Sequence, residues 1–560
     1  MSAFSKKAHR NDEPHEVGAT VKSWQNRIHI AIIYPNAYAV GMPNLGFQSV
    51  YQLFNDYDEI LCERFFLPDT ACSRSEMFSI ESRRPLLDFH IIAFSISFES
   101  DFLHVLTILN LANIPLLSDQ RDERFPIVIA GGVACFLNPE PISYFMDCFL
   151  IGDAEVIIPH FVKIYDPFCE KDAVLKKIMD VVPGAYVPKF FGDTREHKVR
   201  VAIASDINTF STCTRIMSPD SSFGEAFLIE LSRGCSHGCR FCSAGFIYRP
   251  PRIRQLETIK KQLLFGSTQC NRIGLMSASV SDYPEIKELL DFSEQNGLDN
   301  TVFTFSSFRA DAISERWVSL FKKSNLKTAT IAPEAGSERL RQVINKGITE
   351  QNILEAVRYI IEAGIPNIRL YFMVGLPTET SADIDELIEL TQKIKDQFLS
   401  ASRKNHRIGV ITLSISPFVP KPFTPFQWVA MTPPNIIKQR IATIRDALRS
   451  VPNMKIYSDS ARNHVFQTLC ARGDKTTGDF LMLAFKNHGN WTKTIKQIPA
   501  HLLEPSLYPT HIQEYLPWNF IIHHVSQSFL LEEYEKSLKG TPSAPCPILP
   551  CDMCKRCSNE

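Results

Sequence analysis

The sequence predicts an α/β protein with an N-terminal doubly wound parallel sheet, a partial barrel of six strand and helix repeats, and an α-helical C-terminal extension. Three observations support this fold class. Short apolar runs alternate with helix-like stretches in the first third of the chain, the alternation resumes with a longer unit from Ala226, and the pattern turns helical beyond Trp428. Such alternation is typical of parallel strands covered by helices.

Length and charge narrow the class of protein. A chain of 560 residues is too long for one hydrophobic core, so we expect several domains. Sixty basic and sixty-one acidic residues give a net charge of -1, which argues against overall attraction to nucleic acid or to anionic membranes and leaves a local basic patch open. No apolar run is long enough to span a bilayer, and the polar start lacks the apolar core of a signal peptide. We therefore expect a cytoplasmic protein.

Changes in composition divide the chain into six segments. We expect a polar N-terminal arm at 1–26, a doubly wound, Rossmann-like sheet domain at 27–186, a connector at 187–224, the partial barrel at 225–428, the helical extension at 429–540 and a Cys-rich tail at 541–560. Within the connector, Val199 to Ile203 could form a hairpin.

The strands of the sheet domain are apolar runs that end in turn-forming sequence. They are Ile28 to Ile33, His90 to Ser97, Pro126 to Ala130 and Cys148 to Ile151. Ligands of such sheets bind beyond the carboxyl ends of the strands.

Six further strands and the intervening helices define the barrel. The strands are Ala226 to Leu231, Arg272 to Met276, Thr301 to Ser306, Thr328 to Ala332, Ile368 to Val374 and Gly409 to Ile415. Helical periodicity is clearest in Pro284 to Asn296, Glu350 to Ala363 and, beyond the barrel, Asn435 to Arg449.

A cysteine-rich loop follows the first barrel strand. Cys235, Cys239 and Cys242 have the spacing C-x3-C-x2-C, and three thiolates can hold three corners of a four-iron four-sulfur cluster while one iron stays open. Glycines at 234, 238 and 245 let the backbone wrap closely. Buried thiols, or a zinc site with His237 as fourth ligand, are the alternatives.

This loop, placed after the first strand of a six-repeat barrel, resembles the signature of the radical S-adenosylmethionine (radical SAM) superfamily. The resemblance implies a 4Fe-4S cluster whose open iron binds the amino and carboxylate groups of S-adenosylmethionine. An electron from the cluster then cleaves this cofactor to methionine and a 5'-deoxyadenosyl radical, which attacks a substrate. A reductant such as a flavodoxin or ferredoxin would be required.

Segments at the ends of later strands resemble the cofactor-contacting segments of that superfamily. Their chargeable members are Arg309, Glu334 and Arg339, and a surface ion pair is the alternative for Arg339. The superfamily's Gly-Gly-Glu stretch is replaced here by Leu275 to Asp282, where two serines are substitutes. The S-adenosylmethionine-binding candidates are Phe241, Ser277, Ser279, Ser306, Arg309, Glu334, Arg339 and Gly375, with core packing as the alternative for Phe241.

The N-terminal part resembles an uncharacterised subgroup of the superfamily in which a cobalamin-binding-like domain precedes the barrel. The segment Pro35 to Gly46 carries its PNxYxxGMxNLG pattern. The Asp-x-His-x-x-Gly stretch that supplies a cobalt ligand in many cobalamin domains is absent. The resemblance leaves two interpretations, a purely structural sheet and a histidine-free cobalamin site formed by Gly41, Gly46, Gly131 and Gly132.

Two further motifs remain. Cys546, Cys551, Cys554 and Cys557 have the spacing C-x4-C-x2-C-x2-C, which suits a second iron-sulfur cluster or zinc, with loose thiols as the alternative. The segment Arg249 to Arg254 adds three positive charges that could bind phosphate or RNA, unless it is a solvated loop paired with Glu257.

The leading functional hypothesis is a radical SAM enzyme that carries out cobalamin-assisted methyl transfer to an unknown substrate. One alternative is cobalamin-independent sulfur insertion with an auxiliary cluster, although Cys62, Cys72, Cys135 and Cys148 do not clearly reproduce the N-terminal ligands of the methylthiotransferases. Another is a non-enzymatic iron-sulfur or zinc protein that responds to redox state. The sequence indicates neither the substrate nor a catalytic side chain.

Overall fold

The computed structural model describes residues 15–68, 77–298, 301–306, 308–323, 326–404, 406–547, 551 and 554. None of the described helices is long and apolar enough to cross a membrane. One hydrophobic core is continuous from one face of the N-terminal sheet into the barrel and includes both Ile92 and Leu370. The other face of the sheet packs against its own helices in a second core, which includes Ile30 and Phe161.

The N-terminal sheet is doubly wound, as predicted. Its elements are β1 (Ile28–Tyr34), α1 (Tyr38–Gly41), α2 (Leu45–Asn55), β2 (Ile60–Phe66), β3 (Ile91–Ser95), α3 (Phe102–Leu111), β4 (Ile127–Gly131), α4 (Val133–Leu137), β5 (Cys148–Leu150), α5 (Ala154–Ile164), α6 (Lys171–Val181) and β6 (Ala185–Tyr186). The strand order is β2-β1-β3-β4-β5-β6, with only β6 antiparallel to its neighbour. The first five strands thus have the flavodoxin-like order, which places ligand sites at their carboxyl ends.

Strand β2 was not predicted, because two charged residues interrupt its apolar run. Glu63 and Arg64 are nonetheless buried, and all seven residues of β2 are buried. The guanidinium of Arg64 donates to the carboxylates of Glu16 and Glu81, each at 2.6 Å, and lies over the ring of Tyr51. A buried charge is tolerated when it is paired in this way.

The barrel strands come from two parallel sheets. Between the N-terminal sheet and the barrel lie α7 (Pro188–Phe191) and β7 (Val199–Arg200). The barrel elements are β8 (Phe227–Glu230), β9 (Ser232–Arg233), β10 (Arg252–Ile253), α8 (Leu256–Gln269), β11 (Arg272–Met276), α9 (Ile286–Gln295), β12 (Val302–Phe305), α10 (Glu315–Lys323), β13 (Thr328–Glu334), α11 (Glu338–Val343), α12 (Glu350–Glu362), β14 (Asn367–Val374), α13 (Ser381–Lys404) and β15 (Ile411–Pro417). The orders are β12-β11-β8 and β13-β14-β15, and a parallel bridge between Phe308 and Ile331 links the two sheets.

Helix α12 illustrates how local sequence fixes an element. Thr349 and Asn352 form a reciprocal capping box at its N-terminus. Its buried residues are the apolar positions that helical periodicity predicts, namely Ile353, Ala356, Val357, Ile360 and Ile361.

The C-terminal part is mainly helical, but it also adds two strands. Its elements are α14 (Pro434–Leu448), β16 (Met454–Ser458), α15 (Ala461–Arg472), α16 (Thr477–Lys486), α17 (Trp491–Gln497), α18 (Ala500–Leu507), β17 (Ile521–Ile522) and α19 (Gln527–Leu538). Strand β16 extends the barrel sheet beside β15, and β17 pairs in parallel with β7. The hairpin suggested at Val199 to Ile203 is therefore wrong, because β7 pairs with a distant strand and Ala202 bridges to Gly152.

Buried ion pairs join the N-terminal sheet to the barrel. Asp153, just after β5, accepts from Arg233 at 2.9 Å and from Arg252 at 2.5 Å, while Glu155 accepts from Arg233 at 3.1 Å. Burial raises the pKa of Asp153, but the charges of Arg233 and Arg252 outweigh burial, so this pKa lies below its ordinary value. The carboxylate therefore stays ionised between its two arginines.

The same network extends into the first barrel strand. Glu230, the last residue of β8, pairs with Arg233 at 3.2 Å and with Arg254 at 2.6 Å. Arg254 is fully buried and also donates to the hydroxyl of Thr212 at 2.7 Å. Three carboxylates thus balance three guanidinium groups at the joint between the two units.

We predict that Asp153→Asn lowers the free energy of unfolding by roughly 3 kcal/mol, because it leaves buried guanidinium charge without its partner. Asp172→Asn is the matched control, since Asp172 pairs with Lys189 on the surface at 2.7 Å and should cost less than about 1 kcal/mol. Urea unfolding followed by circular dichroism measures both changes. Because the folded pKa of Asp153 is depressed, this stabilisation is present at neutral pH and is lost as pH falls below about 4. Equal midpoints for the two variants would contradict the prediction.

Candidate active site

The three-cysteine loop leaves the barrel immediately after β8. Strands β9 and β10 pair antiparallel at its base, with Arg233 opposite Arg252. Gly234 has a φ of +94°, and a Cβ there would lie 2.8 Å from the Cβ of Tyr248. A Cβ on Gly245 would lie 2.3 Å from the carbonyl oxygen of His237. The loop therefore folds back on itself so closely that these two positions require glycine.

The three cysteines lie within electrostatic reach of one another. Cys239 is buried, and its carbonyl accepts from the amide of Cys242 at 3.0 Å. Burial, with the neighbouring thiols of Cys239 and Cys242, raises the pKa of Cys235 to about 12. Burial and the thiol of Cys239 raise the pKa of Cys242 to about 11. Such thiols stay protonated at neutral pH until a metal displaces the protons.

His237 has a partner of its own. Its Nε2 lies 2.7 Å from the carboxylate of Asp282, which follows β11. Within the described ranges, no three His, Cys, Asp or Glu side chains stand together as ligands of one metal ion would. Cluster ligands bind three different irons and stand further apart than the tetrahedral ligands of zinc. The geometry thus gives no support to a zinc site completed by His237.

A group of charged side chains lies next to the cysteines. Glu334, at the end of β13, is 3.2 Å from the ammonium of Lys346, and Arg309 donates to the carbonyl of Lys346 at 2.7 Å. Burial lowers the pKa of Lys346, but Glu334 and the sulfur of Cys239 raise it above its ordinary value. Burial raises the pKa of Glu334, and Lys346 offsets part of that rise. One carboxylate and two cations are thereby held beside the loop.

Two of these three charged residues were predicted and one was missed. Arg309 and Glu334 follow predicted strands, whereas Lys346 lies in the turn between α11 and α12, where no motif marks it. Glu334 has a φ of +68°, which is rare for a residue with a side chain and occurs where β13 shifts register. The only signal that could have indicated Lys346 is that Glu334, if buried, needs a positively charged partner.

The predicted serines lie together at the ends of β11 and β12. The hydroxyls of Ser277 and Ser232 are 2.7 Å apart, and Ser306 donates to the carbonyl of Ser277 at 2.6 Å. Ser277 and Ser279 line a small pocket that also contains Cys235. These side chains are therefore within one site beside the cysteine loop.

Three other candidates are engaged elsewhere. Arg339 forms the ion pair that was its alternative, with Asp383 at 2.5 Å, and its side chain is half exposed. Gly375 donates its amide to Glu379 at 2.9 Å. Phe241 packs against a hydrophobic cluster that includes Phe418. Their described contacts are an ion pair, a backbone hydrogen bond and apolar packing.

A cavity of about 760 Å³ lies between the N-terminal sheet and the barrel. Its walls include Gly46, Gly131 and Gly132 at the sheet's loops, and Gly234 and Ser277 at the barrel.

Gly41 does not line this cavity. A Cβ there would lie 2.6 Å from the ring of Phe66 and 2.8 Å from that of Tyr34, so this glycine serves close packing within the sheet domain. Its assignment to a cobalamin site gains no support from the cavity and stays a prediction.

The arginine segment after the cysteine loop is not a surface patch. Arg249 and Arg254 are buried, and Arg252 is nearly so. Arg249 donates to the carbonyl of Gly245 at 2.5 Å and lies over the rings of Phe246 and Phe529. The suggestions of an RNA or phosphate site and of a solvated loop are both wrong, because these charges are used inside the protein.

Three of the four tail cysteines lie within the described residues. Cys546 and Cys554 are buried and Cys551 is partly buried, whereas Cys557 lies outside the described residues.

Of the four N-terminal cysteines compared with the ligands of the methylthiotransferases, Cys72 lies outside the described residues. Cys62 and Cys148 belong to one hydrophobic core and Cys135 to the other, so these three do not form one ligand set.

Comparison with known proteins agrees with this geometry. A family model described as Radical SAM superfamily matches residues 229–391, and one described as Radical SAM proteins, N-terminal, matches residues 46–188. The chain is 30% identical over 465 residues to Uncharacterized protein MJ0966 of Methanocaldococcus jannaschii, which covers 81% of this chain and 90% of that protein.

Two more distant matches are similar over less of the chain or at lower identity. A tRNA-2-methylthio-N(6)-dimethylallyladenosine synthase of Pelotomaculum thermopropionicum is 24% identical over 285 residues, which are 49% of this chain and 59% of that enzyme. The radical S-adenosylmethionine methyltransferase TsrM of Kitasatospora setae, solved with cobalamin and a [4Fe-4S] cluster, superposes with a TM-score of 0.49 at 11% identity, covering 84% of this chain and all of that one. The two family models place this chain in the radical SAM superfamily, and it belongs to that superfamily of enzymes that use a 4Fe-4S cluster and S-adenosylmethionine.

Proposed function

We propose that this enzyme transfers a methyl group to its substrate with the help of cobalamin bound between the sheet domain and the barrel. The observation that carries the proposal is one continuous cavity that reaches from the strand ends of the sheet to Gly234 and Ser277 beside the cysteine loop. A cofactor in that cavity would face the place where the radical chemistry begins.

In this proposal Cys235, Cys239 and Cys242 hold the cluster. The fit rests on three thiols within one tightly folded loop and on the absence of side chains at Gly234 and Gly245. When bound, the cluster supplies the electron that cleaves S-adenosylmethionine. The protein's part is to keep the thiols beside buried Arg309 and Lys346, and the charge of Lys346 offsets part of the rise that burial causes in the pKa of Cys242.

The charged group beside the loop suits the amino acid end of S-adenosylmethionine. Glu334 can accept from its amino group, while Lys346 and Arg309 can balance its carboxylate. Ser277, Ser279 and Ser306 would supply neutral hydrogen bonds at the neighbouring strand ends. Because Arg309 is also fixed by Asp311 at 3.0 Å, it is held in place before the cofactor binds.

The cavity suits a large, mostly apolar ligand that carries polar groups at its edge. Ile32, Val50 and Ile158 form apolar wall, while Asn44 and Ser97, which are 3.2 Å apart, form a polar edge. Bound cobalamin would supply a carrier for the methyl group. None of the described lining residues is histidine, so the proposed site holds the cofactor without a histidine ligand to cobalt.

Gly132 fits this site for a backbone reason. It has a φ of +98°, and a Cβ there would lie 2.5 Å from the carbonyl oxygen of Ile96. Because Gly132 has no side chain, the loop after β4 can lie directly against the loop after β3. Both loops border the cavity at the carboxyl ends of their strands.

Sulfur insertion is the second candidate, because the chain is similar to a tRNA methylthio synthase over 285 residues. It would need an auxiliary cluster, and the only cysteine-rich segment outside the loop is the C-terminal tail.

A non-enzymatic redox sensor is not supported, since the superfamily consists of enzymes. The reductant that we propose is a small cytoplasmic electron carrier such as a flavodoxin or ferredoxin.

We predict that the anaerobically reconstituted protein, reduced with dithionite, converts S-adenosylmethionine to 5'-deoxyadenosine, and that Cys239→Ala lowers the rate at least about 100-fold because one iron loses its thiolate. Cys169→Ser is the control, because Cys169 is exposed and lies between α5 and α6 of the sheet domain. Liquid chromatography with mass spectrometry measures the product. Equal rates for wild type and Cys239→Ala would reject the assignment of the cluster.

Glu334→Gln should raise the concentration of S-adenosylmethionine needed for half-maximal 5'-deoxyadenosine formation by about 10- to 100-fold, the worth of one charge-assisted hydrogen bond. Glu338→Gln, an exposed change four residues away on α11, is the matched control and should leave that concentration unchanged. An unaltered value for Glu334→Gln would exclude this carboxylate from the cofactor site.

Gly46→Trp should weaken binding of hydroxocobalamin at least about 10-fold by filling the cavity. Gly46 has no strained φ, and its nearest neighbour would be the side-chain oxygen of Asn44 at 3.2 Å, so the backbone tolerates a side chain. Gln52→Trp on the same helix is the control, because Gln52 does not line the cavity. Absorption titration measures binding, and wild-type protein that leaves the spectrum of cobalamin unchanged would overturn the cobalamin proposal.

A further inference from the structure

The C-terminal tail lies directly against the cysteine loop. We call residues 541–547 the strap. The guanidinium of Arg240, in the middle of the loop, donates to the carbonyl of Thr541 at 2.7 Å and to the hydroxyl of Ser543 at 3.3 Å. The amide of Cys546 donates to the carbonyl of Ser236 at 2.7 Å. The strap therefore contacts the cysteine loop on both sides of Cys239.

Buried polar side chains fix the strap in this position. Asn345 donates to the carbonyl of Gly238 at 3.1 Å and accepts from the amide of Ser543 at 2.9 Å. Arg240 is fully buried and pairs with Glu533 at 3.2 Å, and Glu533 also accepts from the hydroxyl of Ser543 at 2.7 Å. Hydrogen bonds to buried charged groups are among the stronger ones in proteins. The strap is therefore built into the site.

The strap carries the first cysteine of the tail into this environment. Cys546 is 6% exposed and Cys554 is 2% exposed, while Cys551 between them is only partly buried. Cys554 packs in the main core, as isolated cysteines often do. Core packing alone does not account for a partly exposed Cys551 at the spacing C-x2-C from Cys554, which is the spacing of metal ligands.

We propose that Cys546, Cys551 and Cys554 bind a second iron-sulfur cluster next to the first. Buried Arg240 follows Cys239 directly in the chain and donates to Ser543 of the strap, so its positive charge lies where the loop meets the strap. The cluster is preferred over zinc because the strap holds Cys546 against the loop that carries the first three cysteines. Cys557 lies outside the described residues, so the fourth ligand is left to experiment. This site does not depend on cobalamin.

Metal analysis of four proteins tests the proposal. They are the wild type, a loop variant (Cys235→Ser, Cys239→Ser, Cys242→Ser), a tail variant (Cys551→Ser, Cys554→Ser) and a control that loses two other cysteines (Cys169→Ser, Cys270→Ser). Each is reconstituted anaerobically with iron and sulfide and analysed for iron, sulfide and zinc, with circular dichroism as the check on folding. Cys551→Ser alone is the variant to use if the buried change at Cys554 prevents folding.

We expect wild type and control to hold about twice as much iron as either the loop or the tail variant, and the loop variant to keep an iron-sulfur absorption band. Wild-type iron in a folded tail variant, or a folded loop variant that binds no iron, would overturn the proposal, as would zinc in place of iron in the tail. The 5'-deoxyadenosine assay reports on the loop separately, so failure of the second cluster and failure of the proposed function are distinguishable.

Discussion

The rest of the site depends on the ion pairs that Asp153 makes with Arg233 and Arg252. These two arginines face each other across β9 and β10, the short ribbon from which the cysteine loop projects. Removing these charges from water is costly unless each guanidinium group is paired with a carboxylate. Such pairs form only in a few relative orientations of the two groups. The pairs consequently set the direction of the loop relative to the N-terminal sheet. The cavity between the two units has its shape because this contact holds them at a fixed separation.

Much of the fold could be predicted because the chain alternates in the regular way that parallel sheets require. Strand β11 has the predicted bounds, and β14 differs from the prediction by one residue. Strand β2 could not be found by hydrophobicity, because the partners that neutralise Arg64 are Glu16 and Glu81, which are distant in sequence. Strand β16 was missed for a different reason. It lies at the edge of its sheet, so none of its residues is fully buried and two of the five are exposed, which leaves little apolar pattern.

The candidate site was predictable where chemistry imposes a local spacing. The cysteine loop has such a spacing, and Glu334 follows a strand whose end points to the site. Lys346 was beyond prediction, because its role arises only when the turn after α11 reaches the end of β13. The arginines of the segment after the loop were expected in a surface patch that binds phosphate or RNA, but they are buried. Only the folded chain shows that Asp153 and Glu230 lie within reach of them and neutralise their charge.

The strap has a consequence for how the protein matures in the cell. Arg240 and its partner Glu533 are 293 residues apart, and Arg240 and Ser543 are 303 apart. During synthesis the barrel emerges from the ribosome well before these partners, and domains generally fold as they emerge. The cysteine loop is therefore exposed on one side throughout translation of the last part of the chain. An iron-sulfur donor that acts in this interval meets an uncovered loop, whereas one that acts after release must first displace the strap.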